Sequence, residues 1–474
     1  MPLPFKRPAA VIAAAGLLAG AAACGDPTSV PNLNSTPNTL IAGGLTPQTL
    51  QLFTTGVVNN DRANISFRYI VFGETLGRDI FNYDPAEGRF ITSLLGGSIS
   101  SANFIGSGAW TGFYNNILTI KNTVPLLSQK PLTDSVPAAQ LTLTRGFLNT
   151  YRGLELYDVF TLRGQNGVAF PDTGTTPNQT LGPILCQGPA LARIGAVLDS
   201  AYADLTAVPA GTTLPVTLPA GFSSNGDFTT AGALAQFNRA VKGRADLYRA
   251  ILTNDQAAYT SALAALNQSF LNASSDLNTG IYYTYNNAPN EQPNPLAVST
   301  VSLTTAVGDS VQTGDRRAAK IVKGDTVATP YGVFSPYTSP LASPANQTGN
   351  IPLLRRAELV LLRAQAEIGL GDLGSAVNDV NVVRTGEGGL QPYAAFTSQR
   401  QAIDAVLYEK RYSLLLTGAQ RLVDLRTYGR LGADANGNNA YFAKARSADK
   451  FLSALPIPLA ERDARNGNYA CTNP

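Results

Sequence analysis

The chain has 474 residues, of which 44% are apolar and 14% are charged, so it can bury a large core and global disorder is not expected. Its 35 Lys and Arg nearly balance its 32 Asp and Glu, which provides no basic surface for nucleic acid. It contains no His, which excludes Ser-His-Asp and Cys-His nucleophiles and every His-containing metal site. We therefore predict no metal, no cofactor and no enzymatic activity.

The N-terminus has the layout of a secretory signal peptide. Lys6 and Arg7 precede an apolar run from Val11 to Ala23, which is shorter than the about 20 residues that span a bilayer. Cys24 follows three Ala residues and resembles the lipobox of bacterial lipoproteins, although Ala21 stands where Leu is usual. We predict a signal peptide over residues 1–23, an acylated Cys24 and an anchor in the outer membrane. The alternative is an ordinary secreted protein with an incidental Cys.

The residues after Cys24 divide the chain into a tether and a body. Residues 24–45 are rich in Pro, Asn, Ser and Thr and have no helical period, which predicts a flexible tether. Residues 46–474 form the predicted folded body, with a C-terminal block over about 350–474. The remaining cysteines, Cys186 and Cys471, can pair in an oxidising compartment or stay as thiols. The sequence leaves both states open, because it cannot place the two residues in space.

Helical spacing of apolar residues dominates the body. Trp110, Phe113, Ile117 and Ile120 follow one another at steps of three and four, which predicts one apolar helix face. The same period recurs in later segments, namely 143–163, 190–208, 237–255, 257–270, 355–371 and 373–383. Two pairs of these segments form helix–turn–helix hairpins, and the second, with Gly371, Leu373 and Ala376, resembles part of a tetratricopeptide repeat. The sequence predicts a mainly α, tetratricopeptide-like superhelix of helical hairpins with long irregular loops, the longest over about 272–350.

Two C-terminal motifs and two earlier ones occur in a fixed order. Residues 409–426 read E-x-R-x₆-G-x-x-R-x-x-D-L-R, which is close to the pattern E-x-R-x₆-G-x-R-x-x-D-L-x-R within the run 408–432, and residues 455–458 read Leu-Pro-Ile-Pro. Trp110, Tyr114 and Ile117 fit W-x-x-x-Y-x-x-I, and residues 355–367 open the C-terminal block. This ordered set resembles the SusD/RagB family of outer-membrane nutrient-binding lipoproteins. The matching residues are Trp110, Tyr114, Ile117, Asn122, Arg356, Glu358, Leu361, Ala366, Glu409, Arg411, Gly418, Arg421, Asp424, Leu425, Arg426, Leu455, Pro456, Ile457, Pro458 and Asn468.

The resemblance implies both a fold and a function. It implies a helical, lipid-anchored lid on the cell surface that captures an oligosaccharide or another small nutrient. It also implies a partner, a SusC-like TonB-dependent transporter, to which the ligand is delivered. A lipid-anchored tetratricopeptide-like scaffold for protein assembly is the alternative. A lipoprotein hydrolase comes third, because the chain lacks His and a nucleophile motif such as G-x-S-x-G.

The predicted ligand site rests on aromatic residues in loops. A sugar site needs flat aromatic faces beside planar polar groups, and the stretch from Arg78 to Asp84 supplies both. Exposed loop aromatics are costly unless they meet a partner. We predict that these side chains project onto one side of the molecule, with core packing as the alternative, above all for Trp110. The predicted ligand-binding residues are Arg78, Asp79, Phe81, Asn82, Tyr83, Trp110, Tyr282, Tyr283 and Tyr285.

The charged residues of the C-terminal motif have a different interpretation. Arg421 and Asp424 lie three residues apart on a predicted helix, a spacing that permits an ion pair. We interpret them as part of a structural network rather than as catalytic groups. The predicted network comprises Glu409, Arg411, Arg421, Asp424 and Arg426.

Overall fold

The computed structural model describes residues 44–171, 181–289, 291–328, 332, 334–432 and 450–473. The predicted signal peptide, Cys24 and nearly all of the predicted tether lie outside these ranges. Within them, no helix combines the length and the apolar character needed to cross a membrane.

The fold is mainly α, as predicted. The α-helices of the described residues are α1 (Pro47–Asn64), α2 (Ile70–Leu76), α3 (Phe104–Ser107), α4 (Thr111–Thr123), α5 (Leu132–Ser135), α6 (Ala138–Arg163), α7 (Gln187–Thr206), α8 (Ala231–Thr253), α9 (Gln256–Gln268), α10 (Thr305–Asp309), α11 (Arg356–Leu370), α12 (Leu373–Gly386), α13 (Gln399–Ser413), α14 (Gln420–Thr427) and α15 (Leu459–Ala464). Single π-helical turns cover Ile65–Tyr69 and Phe90–Leu95.

Local sequence signals set several helix ends. Thr46 caps α1 through a capping box, and Pro47 occupies the first turn, where its missing N–H is not needed. Gly371 ends α11 with φ +84°, and the Asp372 side chain accepts a hydrogen bond from the Ser375 N–H at the start of α12. The predicted turn between these helices is therefore confirmed.

Antiparallel helix hairpins form the body. Helix α6 packs on α7, α8 on α7 and α9, and α11 on α9 and α12. Small residues allow the close approach: a Cβ added to Gly153 of α6 would lie 2.6 Å from Leu198 of α7. A Cβ added to Gly243 of α8 would likewise lie 2.6 Å from Leu266 of α9. The predicted tetratricopeptide-like arrangement follows from these contacts.

Short antiparallel ribbons fill much of the region predicted to be irregular. The strands are β1 (Ile80–Asn82), β2 (Val168–Ala169), β3 (Ile184–Leu185), β4 (Gly280–Tyr283), β5 (Val301–Leu303), β6 (Val322–Ala328), β7 (Phe334–Thr338) and β8 (Ile351–Arg355). They pair as β1–β5, β2–β3, β4–β8 and β6–β7. The expectation of a long irregular stretch over 272–350 is therefore wrong in part, because β4 and β5 find distant partners that no local pattern indicates.

A disulfide joins Cys186 to Cys471, across 285 positions of sequence. It connects the start of α7 to the last residues of the chain. The two thiols that the sequence left open are thus paired.

Candidate functional site

The first aromatic stretch, around Phe81, lies in the core. Phe81 belongs to β1, is 1% exposed and packs against Ile91 and Leu95. Tyr83 is half-buried, and its hydroxyl donates to the Ser299 carbonyl at 2.5 Å. The prediction that Phe81 projects from a loop is wrong, because β1 pairs with β5 and all three of its residues are buried. Tyr83 follows β1, and its surface is partly covered rather than projecting freely.

The polar residues beside Phe81 are also buried. Asp79 accepts hydrogen bonds from the Arg411 guanidinium, with Nη2 at 2.7 Å from Oδ1. Arg78 donates to the Lys450 carbonyl at 2.9 Å, and Asn82 accepts from the Asp84 N–H at 2.9 Å. Arg78, Asp79 and Asn82 are each 3% exposed or less, so none of them is available to a ligand. Buried polar groups of this kind need hydrogen-bond partners within the protein.

The second aromatic cluster belongs to β4 and to the turn after it. Tyr283 is buried, and its hydroxyl donates to Asp61 at 2.7 Å. Tyr285 is buried beneath the Arg62 guanidinium, which lies 5.8 Å from the ring centroid. Tyr282 is half-buried and donates to the Asn278 carbonyl. The prediction of an exposed patch is wrong here too, because β4 pairs with β8 and packs against the core.

The charged residues of the C-terminal motif form buried ion pairs. Arg384 and Arg317 contact the Glu409 carboxylate at 2.9 and 2.6 Å. Asp424 pairs with Lys410 at 2.7 Å, whereas the Arg421 Nε lies 3.9 Å from Asp79 Oδ1. The predicted Arg421–Asp424 ion pair is therefore wrong. Lys410 of α13 supplies the partner instead, and sequence spacing within α14 could not reveal it.

Two buried arginines hold the C-terminal segment in place. Arg426 donates to the carbonyls of Thr161 and Ser453 at 2.9 and 3.1 Å. Arg163 donates to the carbonyls of Gly106, Gly108 and Pro456, and burial lowers its pKa to about 9. Both guanidiniums bond to carbonyl oxygens from separate elements. They fix residues 453–456, which lead directly into α15.

A groove lies where α15 faces the start of α4. Its volume is about 510 Å³, which fits a small ligand. Three other cavities in the described residues have about 10, 10 and 20 Å³, room for a water molecule at most. The groove is lined by Ser101, Ala102, Ser107, Trp110, Thr111, Tyr114, Asn115, Pro458, Leu459, Ala460, Glu461 and Asp463.

Two aromatic rings form the floor of this groove. Trp110 and Tyr114 lie one helical turn apart, with ring centroids at 4.4 Å and planes at 41°. The Tyr114 hydroxyl donates to the Ala169 carbonyl at 2.9 Å and accepts from the Ala169 N–H at 2.8 Å. The Arg163 guanidinium lies 5.3 Å from the Trp110 ring. These contacts fix the positions of both rings.

The rim of the groove is polar. Thr111 and Asn115 are exposed on α4, and Asp463 is exposed on α15. Glu461 pairs with Arg465 at 2.7 Å, one turn further along the chain. The arrangement combines two tilted aromatic rings with hydroxyl, amide and carboxylate groups at the edge.

Of the nine predicted ligand-binding residues, only Trp110 lines this groove, and its binding role stays a prediction. The remaining lining residues were not predicted as ligand-binding. The signal available in the sequence was the i, i+4 spacing of Trp110 and Tyr114 in the W-x-x-x-Y-x-x-I motif. We named Trp110 as a ligand-binding residue, with core packing as the alternative, and did not name Tyr114. Both rings are in fact largely buried, at 5% and 8% exposure. No pattern in the sequence indicated that α15 lines the groove, because this depends on how the C-terminal segment folds back onto α4.

The described residues contain no group of three or more acidic or Cys side chains placed to hold a metal ion. Neither a protein-family model nor a curated protein matches the chain.

Solved structures match the fold over nearly its whole length. A SusD superfamily protein from Bacteroides thetaiotaomicron is 14% identical with a TM-score of 0.66, covering 89% of this chain and 99% of its own. Surface glycan-binding protein A from Bacteroides uniformis is 17% identical with a TM-score of 0.65, covering 89% and 98%. A laminarin-binding SusD-like protein is 16% identical with a TM-score of 0.64, covering 88% and 97%.

These matches define the class of fold: a helical body of tetratricopeptide-like hairpins with inserted ribbons. The chain has the SusD-superfamily fold. The resemblance predicted from the ordered motifs is thereby confirmed at the level of the fold.

Proposed function

We propose that the chain is a cell-surface lipoprotein that binds a carbohydrate in the groove between α4 and α15. The observation that carries the proposal is the aromatic floor of Trp110 and Tyr114 inside a groove of about 510 Å³ with a polar rim. The apolar faces of pyranose rings stack on such a floor, and sugar hydroxyls bond to Thr, Asn and Asp side chains.

Two further observations support binding rather than catalysis. Glycoside hydrolysis needs two carboxyls that flank the scissile bond. The carboxyls of the groove, Glu461 and Asp463, lie two residues apart on one helix, a spacing at which side chains do not face each other. Two of the solved structures with this fold are named for glycan or laminarin binding, which favours the same class of ligand here.

Asn115 provides the first test of the groove, since it is exposed on the rim of α4. We expect Asn115→Ala to weaken oligosaccharide binding by about tenfold, because hydrogen bonds that order a ligand are lost. The melting temperature should not change, because the residue is exposed. Calorimetry with a panel of neutral oligosaccharides, beginning with laminarin fragments, measures the affinity.

Matched variants sharpen this test. Asn60→Ala makes the same change at an exposed position of α1 outside the groove lining, and it should bind as wild type does. Trp110→Phe keeps an aromatic ring in a largely buried position and should reduce affinity without unfolding the protein. The carbohydrate proposal fails if no oligosaccharide binds, or if Asn115→Ala and Asn60→Ala behave alike.

The proposed location rests on the N-terminal sequence, which lies outside the described residues. We propose cleavage after residue 23, acylation of Cys24, a tether to residue 45 and a single folded body from residue 46. Cys24→Ser should move the protein from the outer-membrane fraction to the soluble fraction of the cell, because a lipid anchor depends on the Cys. Fractionation followed by immunoblotting measures the change, and a variant that stays in the membrane would contradict the anchor.

The proposed partner is a SusC-like TonB-dependent transporter of the outer membrane. The shared fold and the lipoprotein leader support this partner. Affinity purification of the full-length protein from detergent-solubilised membranes, with Cys24→Ser as the control, should recover such a transporter. Recovery of unrelated soluble proteins alone would favour the scaffold alternative.

A further inference from the structure

Helix α15 forms one side of the groove, which we call its wall. Packing of its own side chains does not hold this helix in place. None of the six residues of α15 is buried, and Leu459 is 40% exposed. Its links to the neighbouring segment are the Leu459 N–H, which donates to the Ser101 carbonyl at 3.0 Å, and Arg462, which donates to the Ser101 hydroxyl at 3.2 Å. A short helix without a buried face is marginal in water by itself.

The segment is instead fixed at its two ends. Before α15, Leu455 and Ile457 are buried in the core, and Arg163 and Arg426 bond to the carbonyls of this stretch. After α15, the chain runs to Cys471, which is joined to Cys186. The Thr472 N–H then donates to the Ile184 carbonyl at 2.9 Å, and the Cys186 N–H donates to the Thr472 carbonyl at 3.0 Å.

The floor of the groove is attached to the same place. Tyr114 bonds to both backbone groups of Ala169 in β2, and β2 pairs with β3, which ends immediately before Cys186. The packing around the disulfide is tight: a Cβ on Gly167 would lie 2.8 Å from the Cys471 Cβ. The floor and the wall therefore meet at one small ribbon, and the disulfide is the covalent link between them.

We propose that the Cys186–Cys471 disulfide positions the wall of the groove, so that it fixes the groove width and prepares it for ligand. As far as ligand affinity is concerned, this role rests on the proposed function. A wall that is ordered in advance costs less to order on binding. A disulfide also restricts the excursions of the segment that it closes.

The primary test does not need a ligand. The variant Cys186→Ser with Cys471→Ser is compared with wild type by hydrogen–deuterium exchange, well below the melting temperature of both. We expect faster exchange in peptides that cover α15, with little change in the buried helices α6 and α8. Thr472→Val is the matched control: it removes the bond from the Thr472 hydroxyl to the Ile184 carbonyl at 3.3 Å but keeps the disulfide, and α15 should stay protected.

The second measurement is affinity for laminarin oligosaccharides, which should fall about tenfold in the double variant. Unchanged exchange in α15, or faster exchange with unchanged affinity, would overturn the proposal. Faster exchange in a protein whose wild type binds no glycan would support the positioning role while rejecting the proposed function. If the double variant does not fold, the folded wild type is reduced with a water-soluble phosphine. The phosphine takes oxygen from water to become its oxide, and the two sulfurs take up two electrons and two protons as thiols.

Discussion

Asp424→Ala is expected to lower the free energy of unfolding by about 3–5 kcal/mol. Lys410 Nζ lies 2.7 Å from Asp424 Oδ2, and both side chains are at most 3% exposed. Removal of the carboxylate leaves the ammonium with two neutral partners, Tyr248 and Gln365. Because a buried, uncompensated charge is costly, the loss should far exceed that of an exposed ion pair.

A double-mutant cycle identifies the partner of Asp424. Lys410→Met combined with Asp424→Ala should be more stable than Asp424→Ala alone, since no unpaired charge is left in the core. Arg421→Met with Asp424→Ala tests the pair that the sequence predicted, and it should show a smaller coupling energy. Denaturant titration measures all variants. Equal costs of Asp424→Ala with and without Lys410 would contradict the structure's assignment of the pair.

Helices and their ends were predictable because their causes are local. Phe113, Ile117 and Ile120 recur with the helical period, and all three are buried on α4. Gly371 and Asp372 end one helix and begin the next through chemistry that depends only on neighbouring residues. The fold class follows from such signals summed over the chain.

The site was poorly predictable because its causes are distant in sequence. Phe81 and Tyr283 were expected in loops, but β1 and β4 are strands whose partners, β5 and β8, lie far along the chain. The groove is lined by α4 and α15, two helices that lie far apart in the sequence. Residue type could indicate an aromatic site, but the pairing of remote segments decides which aromatic rings reach the surface.

The core between α1 and α6 contains three carboxyl groups without a dedicated cation. Asp61, Glu155 and Asp158 are each at most 1% exposed, and one oxygen of each has no hydrogen-bond partner in the described residues. The Tyr283 hydroxyl donates to Asp61, and the Asn116 amide donates to Glu155. The cation nearby, Arg244, is paired with Glu358 at 2.7 Å.

Burial raises the pKa of all three carboxyls, and their mutual repulsion raises the pKa of Glu155 and Asp158 further. The pKa of Asp61 is raised from 3.8 to about 7. The folded state therefore holds a proton that the unfolded state releases above about pH 4. The stability that protonated Asp61 contributes is therefore present at low pH and is lost as pH rises from about 4 to about 7. This loss in the free energy of unfolding is at most about 4 kcal/mol.

Other carboxyls act in the opposite direction. Although Glu387 is buried, Arg355 holds the pKa of its carboxyl below the ordinary value. Arg317 does the same for Asp315. Their stabilisation is present above the unfolded pKa and is lost as pH falls. The total pH profile mixes both classes, so the contribution of the core carboxyls must be isolated by substitution.

The substitution Asp61→Asn isolates the contribution of Asp61 to the pH dependence of stability. The amide keeps the shape of the side chain and an oxygen that can accept from Tyr283, but it carries no charge at any pH. At pH 8 we expect the variant to be more stable than wild type by about 3 kcal/mol. When wild type folds at this pH, Asp61 must either be buried as a carboxylate or take up a proton from the solvent, and both cost free energy. At pH 4 the gain should vanish, since wild-type Asp61 is then protonated in the folded state and about half-protonated in the unfolded chain.

Urea titrations at the two pH values measure the difference, and Asp134→Asn, at an exposed carboxyl, controls for the change in net charge. An Asp61→Asn variant that is less stable than wild type at pH 8 would show that the carboxylate is stabilised in the core by groups that the structure does not assign to it.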